Sequence, residues 1–191
     1  MKILFLDIDG VLNRQTPDIV SSGNGETERQ DEKIEEEKLR LLSRLVHKTG
    51  AALILHSGWR FRFDKDGSPV HPAAKRLCDR MKEYGLAFSG FTPDLSDESI
   101  RKTRRFSLVK AKEILLWLQE QRADVESWAV LDGLDLNDGR VRSHQVKTDG
   151  RIGLTEEDVK RAERILRRTE EKRVGRFASD RKEEKQAGAD P

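Results

Sequence analysis

The chain has 191 residues, 38% of them charged and 35% apolar, with 37 Lys and Arg against 35 Asp and Glu. That length favours one domain with a core of its own, and the near balance of charge excludes a globally basic nucleic-acid binder, so any basic surface is local. No apolar run approaches a membrane span, the single cysteine, Cys78, excludes an internal disulfide, and the N-terminus reads wrongly for a signal peptide; a reducing cytoplasm is the expected setting.

Residues 2–6 read as a buried strand that runs straight into Asp7 and Asp9. Residues 14–30 are rich in Gly, Ser and polar side chains and read as a loop or flap. From about Asp31 to Lys48, Leu39, Leu42 and Val46 recur at helical spacing, and Gly50 is a natural stop. AALIL at 51–55 is a second strand, ending in HSGWR. Residues 73–84 look helical, with Cys78 expected as a buried thiol, and LAFSGF at 86–91 is a third, weaker strand. A charged connection follows over 92–106. Ser107 reads as the N-cap of a helix carrying Leu108, Ala111, Leu115 and Leu118 on one face. WAVL at 128–131 is a fourth strand ending in Asp132, and a fifth is expected near 143–147. TEED at 155–158 has capping character before a helix with Val159, Ala162 and Leu166 on one side. A domain over 1–170 and a charged, disordered tail over 171–191 complete the reading.

Alternating strands and helices imply an α/β fold, a parallel sheet with helices on both faces. Ligands in such folds bind beyond the carboxyl ends of the strands. Three strands end there in polar residues: Asp7 and Asp9, Ser57, and Asp132. Their convergence from distant parts of the chain is the main reason to read the acids as a site. A turn after a strand is the plain alternative.

The chemistry fits phosphoryl transfer. A carboxylate such as Asp7 can attack phosphorus. Asp7 and Asp132 offer oxygen ligands for Mg²⁺, which relieves the repulsion between carboxylate and phosphate. Asp9, two residues on, can protonate a leaving oxygen and then activate water. Ser57 can donate to a phosphoryl oxygen, and a lysine near the rim can neutralise charge. Lys110 is preferred over Lys112, which lies on a different helical face.

DIDGV after an apolar strand, a Ser closing a second strand, a helix-borne Lys and VLDGLD in that order resemble the haloacid dehalogenase (HAD) superfamily of phosphatases. DIDGVLN, SGWR, FTP, KAKEILLWL and GLTEEDVKRA are similar to the HAD domain of "Swiss Army knife" RNA-repair proteins, out to about residue 168. The resemblance implies a HAD-like Rossmannoid sheet. It implies Asp7 as nucleophile and Mg²⁺ ligand, and Asp9 as acid/base that also binds the metal through its carbonyl. Ser57 and Lys110 hold the phosphoryl group, with Gly58 and Arg60 beside Ser57 as further candidates, and Asp132 completes the metal site. Related domains often have two consecutive acids at the fourth motif; here residue 133 is Gly, and Asp135 is the candidate for the second acid.

Each residue has a plainer role beside this one. Ser57 can cap a helix, Lys110 can be a solvated lysine, Asp135 a loop acid, Trp59 a core residue, and Arg60 the partner of an acid. No histidine shows metal-ligand spacing. The RKTRR stretch at 101–105 is an ordinary basic loop or a contact to a phosphate backbone. The gaps between motifs hold no cap domain, so an open site with at most a short flap is expected. That admits phosphorylated nucleic-acid ends, with repair proteins acting in trans. The alternatives are a phosphoprotein or small-metabolite phosphatase, or a catalytically weak phosphate-binding module.

Overall fold

The computed structural model describes residues 1–15, 33–103, 106–121 and 125–167. The expected tail over 171–191, most of the expected flap and Arg104 and Arg105 of the basic stretch lie outside the described residues.

Five parallel strands form one sheet: β1 (Lys2–Leu6), β2 (Ala52–Leu55), β3 (Phe88–Phe91), β4 (Ser127–Asp132) and β5 (Gln145–Lys147). Their order is β3-β2-β1-β4-β5. The helices between them are α1 (Glu36–Thr49), α2 (Pro72–Glu83), α3 (Glu98–Thr103), α4 (Ser107–Glu120), α5 (Gly139–Arg142) and α6 (Glu156–Leu166). A short 3₁₀ turn, Gly58–Arg62, follows β2. The α/β reading therefore holds, with helices on both faces.

Strand alternation builds the two faces. Leu4 and Leu6 of β1 join a core with Leu39, Leu42 and Leu45 of α1, Leu77 and Met81 of α2, and Val159 and Ala162 of α6. Ile3 and Phe5 point the other way, to Ala111 and Ile114 of α4. There Phe5 meets Trp117 edge-on at 5.4 Å and Trp128 at 6.1 Å. The chain moves outward from β1 through β2 to β3, then returns across to β4. The sheet therefore changes direction between β1 and β4, and the crevice at their carboxyl ends is where this topology places a ligand.

Some local expectations need correction. The connection over 92–106 holds a helix, α3, because Asp97 Oδ1 accepts the Ile100 N–H at 2.7 Å and so caps it. Ser107 is the first residue of α4, not its N-cap; Phe106 takes that position without a side-chain bond. Cys78 is half-buried, with burial pushing its thiol up. Gly50 ends α1 in the left-handed conformation, and Thr155 and Asp158 form a reciprocal capping box for α6.

Candidate active site

β1 and β4 pair in register up to Leu6 and Leu131, and the Asp7 N–H donates to the Leu131 carbonyl at 2.9 Å. Asp7 and Asp132 are thus brought side by side at the switch point. Both are buried. Between them sits the Lys110 ammonium, donating to Asp7 Oδ2 at 2.8 Å and to Asp132 Oδ2 at 2.6 Å. The other oxygens are also bonded: Asp7 Oδ1 accepts the Ile8 N–H at 2.9 Å and Asp132 Oδ1 the Leu134 N–H at 2.7 Å. Lys112 is exposed.

Charge follows geometry here. Burial disfavours the Lys110 ammonium, but Asp7 and Asp132 overcome it and hold its affinity for the proton well above the ordinary value. Burial pushes Asp132 up to about 7, and Asp7 adds to this, while Lys110 opposes both. The ammonium is the firm member of this trio, and with both acids ionised it leaves one negative charge uncompensated.

Asp9 lies in the loop after β1, whose tight path requires Gly10. That residue has φ +78°, and a Cβ there would stand 3.0 Å from Gly150 Cα. The Thr148 hydroxyl donates to the Gly10 carbonyl at 2.7 Å and fixes the loop. Burial raises Asp9 above the usual carboxylate range; Asn13 draws it down, Asp7 raises it, and Trp59 and Arg62 lower it. Asn13 Nδ2 donates to Asp9 Oδ1 at 2.9 Å, and the Trp59 indole N–H reaches both Asp9 oxygens at 3.0 Å.

Ser57 leaves the sheet next to this cluster, since the His56 N–H donates to the Leu6 carbonyl at 2.8 Å. It caps the 3₁₀ turn by accepting the Trp59 N–H at 3.4 Å. At Gly58 a Cβ would meet nothing within 4 Å, so the backbone there is open to a ligand. Arg60 is turned to acids: its guanidinium donates to Glu113 Oε1 at 2.8 Å and to Asp94 Oδ1 at 3.3 Å. Asp135 is exposed and accepts the Asn137 N–H at 3.0 Å within its own loop. Gly133 lies beside the Asp9 backbone, its added Cβ 3.8 Å from the Asp9 carbonyl oxygen.

Two residues of the cluster escape sequence reasoning. His56 is fully buried, its Nε2 3.6 Å from Asp132 Oδ2 and its Nδ1 3.4 Å from the Thr92 hydroxyl. Burial, with Lys110 and Arg60 nearby, holds it well below its usual range, so it is neutral. Asn13 is the other; it lies in the turn after β1, where its amide reaches back to Asp9 and to the Gly10 N–H.

A model of HAD domains in Swiss Army Knife RNA repair proteins matches residues 3–159. The chain belongs to that family. The match covers all of the sheet except Lys2 and includes the strand-end acids, and it supports HAD-type hydrolase chemistry in general. No curated protein and no solved structure matches the chain.

Mg²⁺ is the metal that HAD enzymes generally use. Among the described residues no three His, Cys, Asp or Glu side chains converge as a metal cage. Two buried carboxylates do converge, with a residual negative charge, and Mg²⁺ characteristically takes one or two carboxylates and fills its other positions with water and phosphate. The residues present fit it. Among the described residues no helix is long and apolar enough to cross a membrane.

Proposed function

We propose that this chain is a Mg²⁺-dependent phosphomonoesterase that works through an aspartyl phosphate on Asp7, and that its substrates are phosphorylated nucleic-acid ends. The observation that carries the reading is the buried lysine shared by Asp7 and Asp132, with Asp9, whose carboxyl burial raises above the usual range, two residues from Asp7. Two carboxylates around one ammonium leave room for a divalent cation, and a carboxylate nucleophile needs such a cation before it can approach a phosphate dianion.

In this reading an Asp7 oxygen forms a bond to phosphorus while the bond to the leaving oxygen breaks. Asp9 delivers its proton to that oxygen. The Asp9 carboxylate then takes a proton from the water that attacks the aspartyl phosphate, releasing inorganic phosphate and Asp7. Lys110, Ser57 and the open backbone at Gly58 bind phosphoryl oxygens. Asp7, Asp132 and the Asp9 carbonyl would hold Mg²⁺, which supplies positive charge against the repulsion between carboxylate and phosphate.

Family membership supports the nucleic-acid reading. So do the connections between strands, which among the described residues hold core helices and no separate cap fold. A cavity of about 700 Å³ adds to it, lined by Phe63, Phe88 and Phe91 with Lys65, Lys75 and Lys82, which outnumber Asp66 and Asp79 there. It does not lie over the carboxylates. Phe91 pairs with Leu55 and Leu55 with Leu6, so the cavity begins two strand spacings, roughly 10 Å, from the end of β1. Aromatic rings with lysines are the chemistry on which single strands stack.

The test is Mg²⁺-dependent phosphate release by the wild type and Asp7→Asn. The panel is 3′- and 5′-phosphorylated oligonucleotides, a phosphopeptide and p-nitrophenyl phosphate. Turnover lost in the variant and best on oligonucleotides, with binding that weakens steeply with salt, is the expected result. Preference for the phosphopeptide or the small ester would keep the mechanism and replace the substrate. Folded, Mg²⁺-binding protein with no turnover would leave a phosphate-binding module.

A further inference from the structure

Trp59 is 3% exposed and sits at the second position of the 3₁₀ turn that follows Ser57. Burial of a tryptophan needs no special explanation, but the direction of its one polar atom does. The indole N–H is a donor only. It divides itself between the two oxygens of Asp9, at 3.0 Å each, across 50 residues of sequence. The Arg62 guanidinium lies over the indole ring, 4.2 Å from its centroid, and packs against its face.

Asn13 closes the clamp from the other side. Its Oδ1 accepts the Gly10 N–H at 2.8 Å. A backbone N–H can only donate, so that bond fixes which end of the amide is oxygen. Its Nδ2 then faces Asp9 Oδ1, at 2.9 Å. Oδ1 therefore receives two donors and Oδ2 only the shared indole N–H. Oδ2 is thus the less engaged oxygen of Asp9, and the geometry leaves it the freer of the two to meet another group.

We infer that Trp59 is a positioning residue for leaving-group protonation, holding Asp9 with Asn13 so that Oδ2 carries and delivers the proton. The inference rests on the phosphatase reading above. In the step it serves, the proton passes from Asp9 Oδ2 to the leaving oxygen as the phosphorus–oxygen bond breaks, and Asp9 is left as the carboxylate. The clamp then holds that carboxylate in place for the proton of the attacking water.

The experiment is Trp59→Phe, which keeps a ring and removes the N–H, assayed on p-nitrophenyl phosphate and on an alkyl phosphate. A nitrophenolate leaves without a proton; an alkoxide does not. The expected result is a kcat loss of roughly 10- to 100-fold on the alkyl ester, part of what a general acid contributes. The loss on the nitrophenyl ester should be several-fold smaller, and KM should be little changed. In an Asp9→Asn background, Trp59→Phe should cost nothing further on the alkyl ester, because the two residues act as one unit.

Equal losses on both esters, or full additivity with Asp9→Asn, would overturn the inference and leave the phosphatase reading standing. Absence of Asp7-dependent turnover in the wild type would overturn both. Asn13→Ala is the second variant should Trp59→Phe fold poorly, with the same leaving-group pattern expected. The bond itself is read without turnover: the Trp59 indole proton resonance, identified by its loss in Trp59→Phe, should shift in Asp9→Ala, and an unmoved resonance would overturn the clamp.

Discussion

Two clusters in this molecule each set one cation between two carboxylates, and they share helix α4. In the first, Lys110 joins Asp7 and Asp132. In the second, Arg60 joins Glu113 and Asp94. They differ in how completely they are satisfied. All four carboxylate oxygens of the first accept a hydrogen bond, from Lys110 or from the Ile8 and Leu134 N–H groups. In the second, Glu113 Oε2 and Arg60 Nε are buried without a hydrogen-bond partner among the described residues. They differ also in their foundations. Asp7 and Asp132 stand at the ends of paired central strands. Arg60 sits in a 3₁₀ turn and Asp94 in the connection after β3. The first cluster is built to hold carboxylates at fixed points around exchangeable charge. The second ties the turn bearing Ser57 and Trp59 to the helix bearing Lys110, one helical turn away.

Breaking the first cluster should have the largest effect. Lys110→Met removes the cation a phosphoryl group would meet, and kcat/KM should fall on the order of 10²- to 10³-fold, the scale for loss of a preorganised donor. The metal-free variant should also unfold at lower denaturant, because two buried carboxylates then face each other. Steady-state kinetics beside urea titrations with and without Mg²⁺ measure both. Activity within about threefold of wild type would move Lys110 out of the site.

Breaking the second cluster should act on stability first. Glu113→Ala leaves the Arg60 guanidinium with Asp94 as its acid, at 3.3 Å, and with the Ser57 carbonyl, at 3.4 Å. Removing one partner of a buried pair costs about 3–5 kcal/mol, and the remaining acid should keep the cost at the lower end. The Leu95 N–H loses its acceptor as well. Turnover of the folded fraction should change by less than about tenfold, through the displaced 3₁₀ turn. A variant with unchanged stability and abolished turnover would make Arg60 a substrate ligand instead of a strut.

The same contrast explains what the sequence could disclose. Strand ends are local signals: ILFLD and WAVLD state both the buried strand and the acid that terminates it, and strand pairing brings such residues to one edge. The parallel sheet, its two helical faces and the meeting of Asp7, Asp132 and Lys110 were therefore legible. Partners chosen by tertiary packing were not. Nothing in SGWR distinguishes a tryptophan that fills space from one whose N–H is spent on Asp9, or an arginine that binds phosphate from one facing Glu113. His56 was hidden for the same reason, since its place beside Asp132 depends on the stagger of β2 against β1. Helix α3 was missed because the cap formed by Asp97 was outweighed by the density of charge around it.

The smallest expected effect separates Asp132 from its buried neighbour His56 by pH. Asp132 is pushed up to about 7 from an ordinary value near 3.8, so the folded state binds its proton more tightly. That group alone makes the protein more stable as pH falls from about 7 towards 4. His56 is held well below 6.5, so the unfolded chain binds its proton more tightly and stability is lost as pH falls through 6.5. Each slope approaches about 1.36 kcal/mol per pH unit at full strength, and the two oppose each other between pH 6.5 and 5. Asp132→Asn removes the first and leaves the second. In metal-free buffer the variant should therefore lose about 1–2 kcal/mol relative to wild type between pH 6.5 and 5, read from urea midpoints at several pH values. The raised carboxyls of Asp9 and Glu113 are common to both proteins and largely cancel in the difference. Parallel curves would mean that Lys110 keeps Asp132 ionised throughout. The negative charge offered to Mg²⁺ would then be present at every pH at which the protein is folded, and metal binding would show no dependence on pH across this range.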